Sequence, residues 1–120
     1  MNEELVILIN TLRVRTPMYI GYLSILRFSS FLQGYFWAIY CRDKNFEMQT
    51  SMGYFTDWLA VKYSIRESLG WDGILLKLAK DDDELALQLF WRHWDEFIEL
   101  SKNVSPESHT LTYKNMVSYE

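Results

Sequence analysis

The chain has 120 residues, of which 49 % are hydrophobic and 17 % aromatic. That length allows one domain with a buried core, and the composition is the opposite of the polar, highly charged mix that leaves a chain disordered. A formal charge of −4, one cysteine and two histidines argue against a phosphate-binding surface, an internal disulfide and a zinc site.

In chain order, Glu3 to Val14 places Leu5, Leu8, Ile9 and Leu12 at helical spacing, with Glu3 and Glu4 in the opening turn, where carboxylates favour the positive end of the helix dipole. Arg15 to Gly21 predicts a tight connection: Thr16-Pro17 ends the helix, because the residue before a proline is pushed out of the helical region. Gly21 is free to take a positive φ. Met18 to Cys41 holds one full charge, Arg27, over a length that could cross a bilayer. Ser24, Ser29, Ser30, Gln33 and Gly34 dilute it, and Arg27 at depth would cost roughly 2.5–3.5 kcal/mol. The stretch therefore reads as a central buried helix from about Ser24 to Arg42, apolar nearly all round, with Ser30, Gly34 and Ala38 as a small-residue stripe for close approach of a neighbouring helix.

Asp43 to Gln49 reads as a polar loop, and Thr50 or Ser51 as the cap of a third helix running to about Ile65. A fourth helix is expected from Trp71 to Ala79. A last one starts in Asp81-Asp82-Asp83-Glu84 and runs to about Lys102. The sum is an all-α fold: a single compact bundle of about five helices over residues 1–103, followed by an irregular C-terminal tail over 104–120.

No catalytic constellation is visible. His93 falls between Leu89 and Phe97 and is expected to be packed and hydrogen-bonded. His109 lies in the tail, and Cys41 reads as a small core residue. No cofactor motif or metal-ligand spacing is present; Gly70-Trp71-Asp72-Gly73 lacks the lysine and hydroxyl residue of a phosphate loop. The chain is read as a non-enzyme. The acidic start (Met1-Asn2-Glu3-Glu4) and the lone cysteine predict a cytoplasmic protein.

Charge is uneven along the chain. Up to Arg66 there are seven basic and five acidic residues, and beyond it five basic and eleven acidic. Such a surface repels nucleic acid and attracts a basic protein. Four consecutive acids exceed what one helix start requires, since one side chain satisfies only one or two free amides. Asp81, Asp82, Asp83 and Glu84, with Asp95 and Glu99 on the polar face of the last helix, are therefore the candidate partner-binding residues. Trp71, near the acidic run in sequence, is expected to be a partly exposed ring beside them, an anchor for an arginine-rich partner.

Three stretches resemble a family of small bacterial immunity proteins. They are Arg13-Val14-Arg15-Thr16-Pro17-Met18-Tyr19-Ile20-Gly21, Phe31-Leu32-Gln33-Gly34-Tyr35, and Gly70-Trp71 with Ile74-Leu75. The family's turn reads Arg-x-Arg-Pro-Gly-Met-Tyr-hydrophobic-Gly, so the order around the proline differs here. The resemblance implies an antidote, of the contact-dependent inhibition type, that binds a secreted toxin in the cytoplasm and blocks its active site. A basic nuclease domain fits the acidic half, and the chain is expected to be a monomer until it meets that partner. A helical scaffold or accessory subunit that self-associates through aromatic surface is the second reading.

Overall fold

The computed structural model describes residues 1–103, so the predicted tail lies outside the described residues. The fold is all-α, with no strand among those residues. Its helices are α1 (Glu3–Val14), α2 (Thr16–Ile20), α3 (Ile25–Asp43), α4 (Glu47–Lys62), α5 (Trp71–Leu78) and α6 (Asp83–Ser101). Among the described residues no helix is long and apolar enough to cross a membrane.

Side-chain caps set three of the helix starts. Asn2 Oδ1 accepts from the Leu5 amide at 2.8 Å, Ser24 Oγ from Arg27 at 3.1 Å, and Asp82 Oδ1 from Leu85 at 3.0 Å. Each satisfies an amide that has no intrahelical partner.

The connection after α1 holds a helix of its own. The chain breaks at Arg15 (φ −137°, ψ 53°) and re-enters a helix at Thr16, with Pro17 in the first turn, where a missing N–H leaves no bond unmade. Gly21 takes φ +92°, and its amide donates to Pro17 O at 2.8 Å. A Cβ there would stand 2.6 Å from Arg27 Nη1, a contact the flexible arginine can relieve by shifting, so it is the positive φ that calls for glycine.

The loop expected at Asp43–Gln49 is shorter. α4 begins at Glu47, whose amide is taken by Asn45 Oδ1 at 2.8 Å. Ser51 is thus a buried residue inside the helix and Thr50 an exposed one, and neither caps it. Met48, Met52, Phe55 and Leu59 explain the early start: they form one continuous buried face. The helix closes at Lys62. Ser64 at φ +54° then lets the Ile65 amide reach Ala60 O at 2.9 Å, with the Ile65 side chain buried.

At the centre, α6 packs against α3, α4 and α5. The Phe90 ring meets Phe28 at 4.9 Å, Trp71 at 5.0 Å and Phe55 at 5.5 Å, and Trp94 and Phe97 both lie 5.4 Å from Phe55. Offset and edge-on ring pairs of this kind contribute about 0.5–1.5 kcal/mol each beyond their buried area.

α3 is enclosed on one side, not all round. Ile25, Phe28, Ser29, Leu32 and Phe36 are buried, whereas Leu26, Ser30, Gly34, Trp37, Ala38 and Cys41 are exposed. The small-residue stripe expected to receive a neighbouring helix therefore faces outward, and a Cβ added at Gly34 would meet nothing within 4 Å. Cys41 is exposed as well, not a core residue. The reason is geometric: α5 and α6 occupy the side marked by Phe28, α2 reaches only the Leu26–Ser30 end of the opposite face, and a Cβ at Gly34 would meet nothing.

Candidate partner-binding surface

The acidic run lies where α5 turns into α6. Lys80 (φ +54°) and Asp81 (φ +67°) both adopt the left-handed region, and the turn is held by the Asp81 amide on Leu76 O at 2.9 Å and the Asp82 amide on Ala79 O at 3.1 Å. Left-handed backbone is more accessible to aspartate than to most residues, because its short side chain can bond locally.

Two of the four acids are structural. Asp82 caps α6. Asp83 reaches across to α3: its Oδ2 accepts from Ser24 Oγ at 2.5 Å and its Oδ1 from the Leu26 amide at 3.1 Å. Ser24 Oγ in turn accepts from the Arg27 amide, so one carboxylate and one hydroxyl together close the N-terminus of α3. Asp81 and Glu84 are exposed, with no side-chain partner among the described residues.

The Asp83 bridge places the acidic turn beside apolar surface. Leu26 is 51 % exposed, Leu23 and Tyr22 just before it are 39 % and 56 % exposed, and Leu85 in the first turn of α6 is 40 % exposed. Arg27 does not extend into this corner as a free cation. Its Nη1 donates to Ile20 O at 3.0 Å, and its guanidinium carbon lies 3.9 Å from the centroid of the Tyr22 ring, a cation–π contact that also anchors the C-terminus of α2.

The remaining predicted residues do not join this corner. Asp95, twelve positions after Asp83, is about 18 Å away along the helix and is held by Arg13 through two bonds of 2.7 Å. The Arg13 hydrogen bond keeps the Asp95 carboxyl below its ordinary pKa, and Arg13 also lies over the Trp91 ring at 5.2 Å. Asp95 is thus a clasp between α1 and α6. Glu96 is held by Lys62 of α4 at 2.5 Å. Glu99 pairs with Lys102 at 3.0 Å on an exposed face.

Trp71 is buried, not partly exposed. Its ring faces Phe28 and Phe90 in the core, because Gly70 starts α5 and turns its first residue inward. Nearness to the acidic run in sequence was a misleading signal. The exposed tryptophan is Trp37, 64 % open. Its position was legible: it follows Leu26 by eleven residues, three helical turns, and so lies away from Phe28 and Leu32.

His93 is buried on α6, with Nδ1 donating to Leu89 O at 2.7 Å and Nε2 accepting from the Tyr63 hydroxyl. Burial pushes its pKa down, so the ring is a neutral packed side chain. Among the described residues no group of three or more His, Cys, Asp or Glu could hold a metal ion. No family model matches the chain, and no curated protein or solved structure matches it either.

Proposed function

We propose that this domain is an immunity protein: it binds a cognate bacterial toxin, a basic nuclease domain, and covers its active-site cleft in the cytoplasm without catalysing a reaction. The observation that carries the reading is the corner where Asp83, between exposed Asp81 and Glu84, bonds Ser24 and Leu26 at the start of α3, with Leu23, Leu26 and Leu85 exposed around it. Carboxylates steer a basic partner toward the surface, and the apolar side chains beside them supply the desolvated contact that holds it. The resemblance of residues 13–21, 31–35 and 70–75 to immunity proteins supports the same reading.

The test is association kinetics with the toxin domain encoded beside this chain, measured for the wild type and for Asp81→Ser/Glu84→Ser. Both substitutions lie on exposed, unpaired side chains, so the helical circular dichroism should not change. Association of the double variant should slow several-fold at low salt and converge on the wild type at high salt. No binding by the wild type would end the antidote reading; equal rates for the two proteins would remove this corner from it.

A further inference from the structure

Exposed apolar side chains gather where α2 meets α3. Met18, Tyr19, Tyr22, Leu23 and Leu26 are each 39–69 % exposed and fall within nine residues of one another in the chain. Single apolar side chains on a surface need no explanation, whereas a contiguous group marks a place of contact. Between the two helices lies a groove of about 410 Å³, lined by Tyr19, Ile20, Leu26, Arg27, Ser30 and Phe31. Tyr19 and Phe31, one from each helix, meet edge to face at 6.3 Å, and Ile20 is buried beneath. Ser30 is the one small residue of the lining.

We propose that this groove receives one large apolar side chain from a basic segment of the partner, and that this anchor holds the complex together. The inference rests on the proposed function and extends the same site. Leu26 belongs to both parts: it lines the groove, and its amide is bound by Asp83 at 3.1 Å. Charge selects the residues beside the anchor. Asp81, Asp82, Asp83 and Glu84 stand against Lys80 and Arg27, an excess of two carboxylates, so a segment carrying arginine or lysine next to its apolar residue is favoured. Arg27 is already engaged, since its Nη1 donates to Ile20 O at 3.0 Å and its guanidinium lies over the Tyr22 ring.

The volume suits such an anchor. It lies at the lower end of the range for ligand-binding clefts, about 300–1,000 Å³, which admits a leucine, phenylalanine or tryptophan side chain but not a whole helix face. An anchor desolvated in a pocket carries a large share of binding energy, and the contacts around it serve mainly to exclude water. The two parts of the site therefore govern different rates. Carboxylates at the rim act on encounter, and the filled groove acts on the lifetime of the complex.

Association and dissociation rates with the toxin domain encoded beside this chain, measured for Ser30→Trp, Ser30→Ala, Leu26→Ser and Asp81→Ser/Glu84→Ser, test it. Ser30→Trp fills the groove, Leu26→Ser removes one of its walls, and Ser30→Ala leaves it open. Ser30→Trp and Leu26→Ser should dissociate about tenfold faster than the wild type, with association within about twofold of it. Ser30→Ala should match the wild type, and the acidic pair should show the reverse pattern, slower association with dissociation little changed. Ser30→Trp and Leu26→Ser complexes as long-lived as the wild type overturn the anchor while leaving the antidote reading and its acidic corner in place. A wild type that does not bind ends that reading and this inference together. The free Ser30→Trp chain should match the wild type in Tm and in sedimentation. A lower Tm or altered sedimentation would mean that the groove is already filled, by residues 104–120 or by a second copy, and overturns the proposal equally.

Discussion

The inner face of α3 carries Ile25, Phe28, Leu32 and Phe36, and the outer face carries Leu26, Gly34, Trp37 and Ala38. The inner set is the larger and more apolar and meets the rings of α5 and α6, while the outer set, which also includes Arg27 and Ser30, is exposed. They differ in register as well. The inner residues recur at three- and four-residue intervals in phase with Ser24 and Ser29, whose hydroxyls bond Asp83 and Asp72 at 2.5 and 2.9 Å. Burial of Ile25, Phe28, Leu32 and Phe36 supplies most of the preference for this side of α3, and the two hydroxyl bonds add to it.

The sharpest way to break the comparison is to truncate one ring on each face. Phe28 is fully buried and packs against Trp71, Phe90 and Trp91, so Phe28→Ala should cost about 3–5 kcal/mol. Trp37→Ala, on the outer face, should change the stability of the single chain by no more than about 0.5 kcal/mol. Urea unfolding of dilute samples measures both. Comparable losses from the two variants would mean that the outer face is covered within the chain itself.

The buried side of α6 offers an intermediate effect. Burial lowers the pKa of His93 in the folded chain, whereas the unfolded chain protonates near its ordinary value of about 6.5. The unfolded state thus binds the proton more readily. Stability from this group is complete above that ordinary value and is lost as pH falls through the lowered folded one. Unfolding free energies measured at a series of pH values should decline below neutrality, and His93→Gln should flatten that decline. Tyr63→Phe removes the hydroxyl that donates to Nε2 and should cost about 1 kcal/mol at neutral pH. A pH profile unchanged by His93→Gln would show that other groups set the acid response.

Much of the fold was legible because periodicity and caps are local signals. α1, α5 and α6 lie within about a residue or two of their expected bounds, and Gly21 takes the positive φ that its place in a tight connection implied. α4 starts earlier than expected because Asn45 takes the Glu47 amide from the loop while Met48 and Met52 extend the buried face; the polar composition hides an apolar register. The surface was harder to read. Asp83 looks like its neighbours in sequence, and only the packing of α6 on α3 turns it into a bridge. Asp95 finds Arg13, 82 residues away. Trp71 is drawn inward by three long-range aromatic neighbours. Long-range partners of this kind leave no trace in local pattern.

The smallest effect discriminates most finely between the two faces. Gly34→Ala adds one methyl where the single chain has open space and removes the entropic cost of glycine in a helix, so it should stabilise the dilute monomer by about 0.5–1 kcal/mol. A loss of stability in the dilute monomer would mean that α3 is enclosed after all. Urea unfolding of dilute samples reads the sign, and a gain follows only if Gly34 stands in open space in the single chain.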